Sequence, residues 1–294
     1  MNPDGRIDLH IHTTASSDGQ YGADEIFLMA REIGLKTIAF ADHNSVDNIE
    51  PGIALSEKHG IEFIPCLEIN TMHDKLDLHL LAYFIDFKDP SFLNWLGEME
   101  EAKKEQAHGR LKALQSIGFL INEKDLEKTA AGKIPSGATF LQTLLSNNES
   151  SKDPRLQSYI DGERSDSPPL NFYKDYFKAG KPAFVPLSAC TTIQAISNIR
   201  KYGGIPVQAH PSNTPTNVIS ELVDAGLMGL EAYSTYHSGA DCERFRLLTR
   251  QLNILHTAGS DFHGEKIKPN VALACIDGNG YELVERLRQA GTEV

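Results

Sequence analysis

Strand-compatible runs alternate with helix-compatible ones along most of this chain, and run after run ends in a histidine or a carboxylate. Period-two and buried apolar patterns place strands at Arg6–Thr13, Lys36–Ala41, Glu62–Ile69, Asp77–Phe84, Ile205–Ala209, Gly229–Tyr233 and Ile254–Ala258. Helical spacing falls at Asp24–Gly34, Val46–His59, Ile193–Tyr202, Asp241–Leu252 and Gly280–Ala290. A further helix is expected with Thr214 as cap and Pro215 in its first turn. Such a succession is the pattern of an α/β fold, with a parallel sheet closed or nearly closed into a barrel. The alternation breaks between residues 88 and 186. There Phe92, Leu96, Met99, Leu111 and Leu114 share a helical face, Glu100 and Lys104 form an i,i+4 pair, and Ser146–Pro169 is polar enough to read as a mobile loop. The expected organisation is a barrel built from 1–87 and 187–294, with 88–186 as a helical insertion over the active-site mouth.

The strand ends carry the chemistry. His10 and His12 are two apart on a strand, so both imidazoles face the same way. Asp18 follows in the loop, Asp42 and His43 close the second strand, and Glu68 closes the third. His79 lies on the fourth, His210 follows the next, Glu231 sits on the one after, and Asp261 and His263 end the last. Barrel enzymes place catalytic groups at that end of their strands. Imidazole and carboxylate without thiolate suit Mn²⁺, Fe²⁺ or Zn²⁺. His10, His12, Asp18, His43, Glu68, His79, His210, Asp261 and His263 are more ligands than one ion needs, so two or three divalent ions are expected, with Glu68 as the bridging carboxylate. His59, His73, His108 and His256 fall outside this pattern.

Composition bounds the partners. A net charge of −12 over 294 residues disfavours long nucleic acid but leaves room for a small phosphorylated substrate, because metal ions reverse the local field. No apolar run reaches membrane-span length and the first residues do not read as a secretory signal, so a cytoplasmic protein without membrane partner is expected. The four cysteines are scattered, with no Cys-x-x-Cys pair, and are expected to be reduced.

At these residues the chain resembles the polymerase and histidinol phosphatase (PHP) family of metal-dependent phosphoesterases. The strings DLHIHTTASSDG, FADHNS, CLEINT, LHLLAY, AHP and GSDFH carry the likeness, in order and at both ends of the chain. GKPAFVP and the GLEAY–YHS stretch resemble the subgroup acting on small nucleotide or ribose phosphates, including a nucleotide bisphosphate phosphatase and a cyclic-phosphate dihydrolase. The resemblance implies a distorted (β/α)₇ barrel. It implies that His10, His12, Glu68 and Asp261 hold one metal, that Glu68, His79 and His210 hold a second, and that Asp18, His43 and His263 hold a third. Related sequences often carry an Arg and a His where this chain reads Ile134 to Phe140. Phosphate contacts are then expected from Lys181, Arg110 or His237.

The expected function is hydrolysis of a small nucleotide or sugar phosphate, as a monoester or a cyclic diester, by a metal-bridging hydroxide. Asp261 is a catalytic ligand, His237 a phosphate contact or proton donor, and Asp42 holds a ligand imidazole in its working tautomer. Three other readings compete: a 5′–3′ exoribonuclease on short RNA, an amidohydrolase, and a non-catalytic metal-binding domain. Amidohydrolase barrels commonly bridge their metals through a carbamylated lysine, and no lysine lies at a predicted strand end.

Overall fold

The computed structural model describes residues 6–187, 190–278 and 280–292. Strand β1 (Ile7–Ile11) leads through α1 (Ala23–Glu32) to β2 (Thr37–Phe40), and α2 (Ile49–His59) leads to β3 (Glu62–Ile64). These three strands pair in parallel in the order β1-β2-β3. Pro65, Cys66 and Leu67 interrupt what the sequence presents as a single strand, and the chain resumes as β4 (Glu68–His73), which turns into β5 (Leu76–Tyr83). After the helical stretch come α8 (Thr192–Lys201), β6 (Ile205–Gln208), α9 (Thr216–Asp224), β7 (Gly229–Ser234), α10 (Gly239–Leu252), β8 (Leu255–Gly259) and α11 (Glu282–Gly291). The second sheet runs β4-β5-β6-β7-β8.

The two sheets join into a distorted barrel. On one side Asp261 N–H donates to His10 O and His12 N–H to Phe262 O, each at 2.9 Å. On the other, Asn44 N–H donates to Glu68 O (2.8 Å) and Glu68 N–H to Asp42 O (3.2 Å). The barrel is not wholly parallel, as the alternating pattern suggested: β5 runs antiparallel to both β4 and β6. The reason is the short connection through Asp74, which adopts the left-handed φ of 53° that a tight hairpin needs.

Barrel strands and flanking helices share three apolar clusters. Ile7, Leu9, Ala39, Leu81, Val207 and Ala258 pack with Leu283, Val284 and Leu287 of α11. Helices α1 and α2 cover β1–β3 through Ile26, Phe27, Ala30, Ile49 and Leu55. Helices α8, α9 and α10 cover the second sheet through Ala195, Ile196, Ile199, Ile219, Leu222 and Phe245. Helix α9 starts later than its Thr-Pro signal implies, because the Thr214 hydroxyl accepts from Gln208 Nε2 at 2.6 Å instead of capping the helix.

The helical stretch opens with α3 (Pro90–Ser116), capped by Asp89, whose carboxylate accepts from Ser91 N and Phe92 N. Helices α4 (Glu123–Ala130), α5 (Gly137–Ser146), α6 (Pro154–Gln157) and α7 (Pro168–Phe172) follow. Leu111, Leu114, Phe119, Phe140, Leu144, Leu156, Tyr159, Phe172 and Phe177 form a fourth core of their own. The polar segment 146–169 is therefore not a loose loop: Leu156 and Tyr159, at 0% and 4% exposure, anchor its turns into that core. All four cysteines are free thiols, and among the described residues no helix is long and apolar enough to cross a membrane.

Candidate metal centre

Glu68 lies at 1% exposure in the middle of a group of imidazoles. Its Oε1 is 2.9 Å from His79 Nδ1 and 3.2 Å from His210 Nε2. Its Oε2 is 3.0 Å from His43 Nδ1, 3.3 Å from His12 Nε2 and 3.5 Å from His10 Nε2. The two strand-neighbour histidines meet as the two-residue period requires, with His10 Nε2 and His12 Nε2 3.1 Å apart. Asp261 Oδ1 approaches both, at 3.2 and 3.1 Å. Asp18 completes the arrangement, 3.8 Å from His43 Nε2 and from His263 Nε2.

Three sets of ligand atoms cluster within 4.8 Å: His12, Asp18, His43 and His263; His10, His12 and Glu68; and His43, Glu68 and His79. Asp261 and His210 adjoin them through the contacts above. All nine expected ligands are thus brought together. Glu68 and His79 do not occupy C-terminal strand ends, however. Glu68 opens β4, and His79 lies in the first half of β5. Because β5 is reversed, that half points to the same end of the barrel where the parallel strands finish.

The donor set fits cations. Asp18 Oδ1, Glu68 Oε2 and His43 Nδ1 are buried with no hydrogen-bond partner. His43 Nδ1 and Glu68 Oε2 stand 3.0 Å apart but outside hydrogen-bonding geometry. Leaving buried polar atoms unpaired is expensive unless something charged lies between them.

Neighbouring groups set the ring orientations. His263 Nδ1 is 2.9 Å from the Asp261 carbonyl, which can only accept, so Nδ1 carries the proton and Nε2 presents its lone pair. His10 Nδ1 is held by Glu231 Oε1 at 2.8 Å, and Glu231 Oε2 also accepts from His210 N–H at 2.8 Å. His12 Nδ1 meets Ser16 Oγ at 3.0 Å. Glu231 is therefore the carboxylate that orients an expected ligand imidazole, that of His10. Asp42 is not: its carboxylate accepts from Thr13 N–H and Thr13 Oγ1 (both 2.7 Å) and from Ser16 N–H (3.2 Å). It folds the loop that carries Asp18 instead of touching an imidazole. Gly19 closes the same loop, and any Cβ there would collide with the Thr13 carbonyl. Two of the expected ligands sit on strained backbone, His210 at φ 27° and Asp261 at φ 55°, conformations that cost about 1–3 kcal/mol each and are kept where function needs them.

The electrostatics are those of mutual compensation. Burial alone would raise Glu68, but His79, His43 and His10 outweigh it and hold the carboxyl well below the usual range. Burial opposes charge on His12 as well, yet hydrogen bonds and charge from Asp261 and Glu68 push it up to about 9. In the metal-free protein that protonated ring stabilises the fold fully below the ordinary value of 6.5, and its contribution is lost as pH rises through about 9. A bound cation has to displace the same proton. The metal-free melting temperature is therefore expected to fall between those two pH values, while protection by added Zn²⁺ or Mn²⁺ grows. Thermal melts with and without chelator check this; a metal-free melting point that climbs across the window contradicts it.

The expected substrate contacts fare differently. Lys181 is exposed in a turn, and its side chain makes no hydrogen bond or ion pair among the described residues. His237 Nδ1 bonds to Ala232 O at 2.9 Å and the ring packs on Phe245. Burial lowers its pKa, which keeps it neutral and opposes a role as proton donor. Arg110 stacks over Phe177 and Tyr173, with centroid distances of 4.8 and 5.7 Å. Two cations that sequence reasoning passed over are at the centre itself. Lys268 Nζ bonds Asp261 Oδ2 and Tyr236 Oη, and Lys103 Nζ bonds Asn70 Oδ1, whose amide nitrogen meets His79 Nε2 at 2.9 Å. Neither lies at a strand end, so no pattern in the sequence singled them out.

Similar proteins point the same way. The 5′–3′ exoribonuclease Rnm of Escherichia coli is 29% identical over 270 residues, covering 87% of this chain and 84% of that protein. A phosphoribosyl 1,2-cyclic phosphate 1,2-diphosphodiesterase of Eggerthella lenta is 24% identical over 261 residues, 88% and 94% of the two chains. A 3′,5′-nucleoside bisphosphate phosphatase of Chromobacterium violaceum is 24% identical over 263 residues, 87% of each. Among solved structures, one described as a metal-dependent phosphoesterase of Bifidobacterium adolescentis superposes with TM-score 0.75 at 20% identity, over 96% of this chain and 94% of that one. One described as an amidohydrolase of Chromobacterium violaceum, with bound sulfate and no metal, gives TM-score 0.78 at 22% identity over 96% of each. The sequence profile of the PHP domain matches residues 8–190, more than half of the chain, and with the imidazole–carboxylate centre at the mouth of a PHP-like barrel this places the protein in the PHP domain family.

Proposed function

We propose that this chain is a metal-dependent phosphoesterase that hydrolyses small nucleotide or sugar phosphates, as monoesters or cyclic diesters. The observation that carries the reading is Glu68, a buried carboxylate within 3.5 Å of five imidazoles. His10, His12, Asp18, His43, Glu68, His79, His210, Asp261 and His263 would hold two or three ions of the Mn²⁺, Fe²⁺ or Zn²⁺ class. Ions there supply Lewis acidity and charge neutralisation for transfer of a phosphoryl group to water. The protein's part is to prearrange the ligands: Glu231 fixes His10, the Asp261 carbonyl fixes His263, and Asp42 shapes the loop bearing Asp18.

Residues 88–186 act in this reading as a cap on the site. Lys133 Nζ donates to Thr14 O and Ser16 O, Lys103 reaches Asn70, and Tyr173 Oη bonds Asp77. An amidohydrolase with a bridging lysine fits less well. Lys268 is held by Asp261 and Tyr236 and Lys103 by Asn70, so neither bridges the ligand clusters. A 5′–3′ exoribonuclease on short RNA is a second reading, favoured by the Escherichia coli relative of that name.

A phosphate-release screen with Mn²⁺ decides among these, over nucleoside bisphosphates, cyclic ribose phosphates and short 5′-phosphorylated oligoribonucleotides. Turnover on a small ester, abolished by chelator and restored by metal, is the expected result. Amide cleavage without phosphate release would sink the reading, and preference for the oligonucleotides would favour the second one.

A further inference from the structure

All three protons of the Lys268 ammonium are spent beside one expected ligand. Lys268 Nζ donates to Asp261 Oδ2, to the Asp261 carbonyl at 3.3 Å and to Tyr236 Oη at 2.6 Å. An ammonium has three donors and no acceptor, so none is left over for a substrate. A tight turn brings the lysine back to Asp261. Ile267 N–H and Lys268 N–H both donate to Gly264 O, at 3.1 and 2.9 Å, and Lys266 N–H donates to Gln20 Oε1 at 2.9 Å.

Tyr236 extends this bracket to a second ligand. It lies two residues beyond β7, and its ring stands edge-on to the His210 imidazole, with centroids 5.1 Å apart and planes at 60°. His210 and Asp261 are the two expected ligands on strained backbone, and also the two that lie outside the three compact sets of ligand atoms. Strain of that kind persists only where the surroundings over-determine it. The bracket acts on the outer side of Asp261: Oδ1 faces His10 and His12, and Lys268 holds Oδ2. The ammonium therefore leaves the oxygen turned to the imidazoles free and fixes the direction in which it points.

We infer that Lys268 and Tyr236 form a single clamp that positions Asp261 and His210, expected ligands of two different ions, and so sets the spacing between those ions. The inference rests on the metal-centre part of the proposed function and adds two positioning residues to it. Both act through the ligands, and the clamp is independent of which ester is cleaved.

The test is calorimetric titration of the chelator-stripped, full-length protein with Mn²⁺, together with the visible spectrum of the Co²⁺-loaded protein, which reports ligand geometry. In Lys268→Met, which keeps the apolar stem, Mn²⁺ affinity is expected to fall about 10- to 100-fold, the range for losing a group that orients a metal ligand. Tyr236→Phe keeps the ring against His210 and removes only the acceptor, so a smaller loss is expected. The double variant should lose no more than Lys268→Met alone, because the pair works as a unit. Lys268→Arg, which keeps the charge, should recover part of the loss, and the Co²⁺ spectrum should shift in each weakened variant. Denaturation of the metal-free proteins separates positioning from folding. Unchanged Mn²⁺ affinity, tighter binding in Lys268→Met, losses that add in the double variant, or lower stability with an unaltered Co²⁺ spectrum would each overturn the clamp and leave the metal centre standing. A wild type that binds neither Mn²⁺ nor Co²⁺ would overturn the metal centre and the clamp with it.

Discussion

Replacing Glu68 with glutamine is expected to reduce phosphate release by about 10³-fold or more, some 4 kcal/mol of barrier. The substitution keeps the side-chain volume and removes one charge. That charge is what five surrounding imidazoles face, and both carboxylate oxygens are used: Oε1 toward His79 and His210, Oε2 toward His43, His12 and His10. An amide offers one acceptor oxygen and an NH₂ group that would point its hydrogens at ring nitrogens meant to present lone pairs. The variant should therefore lose metal as well as activity. Metal analysis of purified protein, alongside phosphate release, checks both. Wild-type metal content with turnover within tenfold of normal would show that Glu68 is not the hub of the centre.

Gly259→Ala is the second large effect, and its origin is steric. Gly259 ends β8 beside β1. A methyl group there would collide with the Cβ of His10, lie 2.6 Å from Glu231 Oε1 and 2.9 Å from His10 N. The Glu231 carboxylate could turn aside, but the His10 Cβ and N belong to the backbone course of β1, so relief requires β8 to move away from β1. That movement opens the barrel where Asp261 N–H and His10 O join the sheets, and shifts His10 off Glu231. Overpacking of this sort costs about 1–3 kcal/mol, and the upper part of that range is expected because backbone must shift. Chemical denaturation of the metal-free protein measures the stability loss, and metal affinity measures the displacement of His10. An unchanged denaturation midpoint with unchanged metal affinity would refute the steric account.

The two variants mark what pattern reading can and cannot reach. Glu68 is conspicuous because a charged residue at the boundary of an apolar run has a recognisable address. Gly259 is one small residue among many, and its importance exists only because another strand lies against it. The same contrast separates the expected ligands from the expected substrate contacts. Lys181 looked suitable in a glycine-flanked segment and is exposed; His237 followed a strand and packs on Phe245. Lys268 and Lys103, in a loop and on a long helix, have no such address, yet they touch Asp261 and Asn70. Asp42 and Glu231 divide along the same line. Both carry an acid near a strand end, and only the fold assigns Thr13 and Ser16 to the first and His10 to the second.

Local order in the chain determined the elements and the ligand types. Hydrophobic periodicity and helix caps act over a few residues, and an imidazole or carboxylate at a strand end is displayed by that period alone. The tertiary structure decided the break at Pro65–Leu67, the packing of residues 146–169 and the partners of Asp42, Glu231 and Lys103. Those outcomes depend on contacts between residues tens to hundreds of positions apart, such as Asp42 with Thr13 and Glu231 with His10. Burial and pairing energies arise only after such distant segments have met, and nothing within a window of neighbouring residues encodes which will meet.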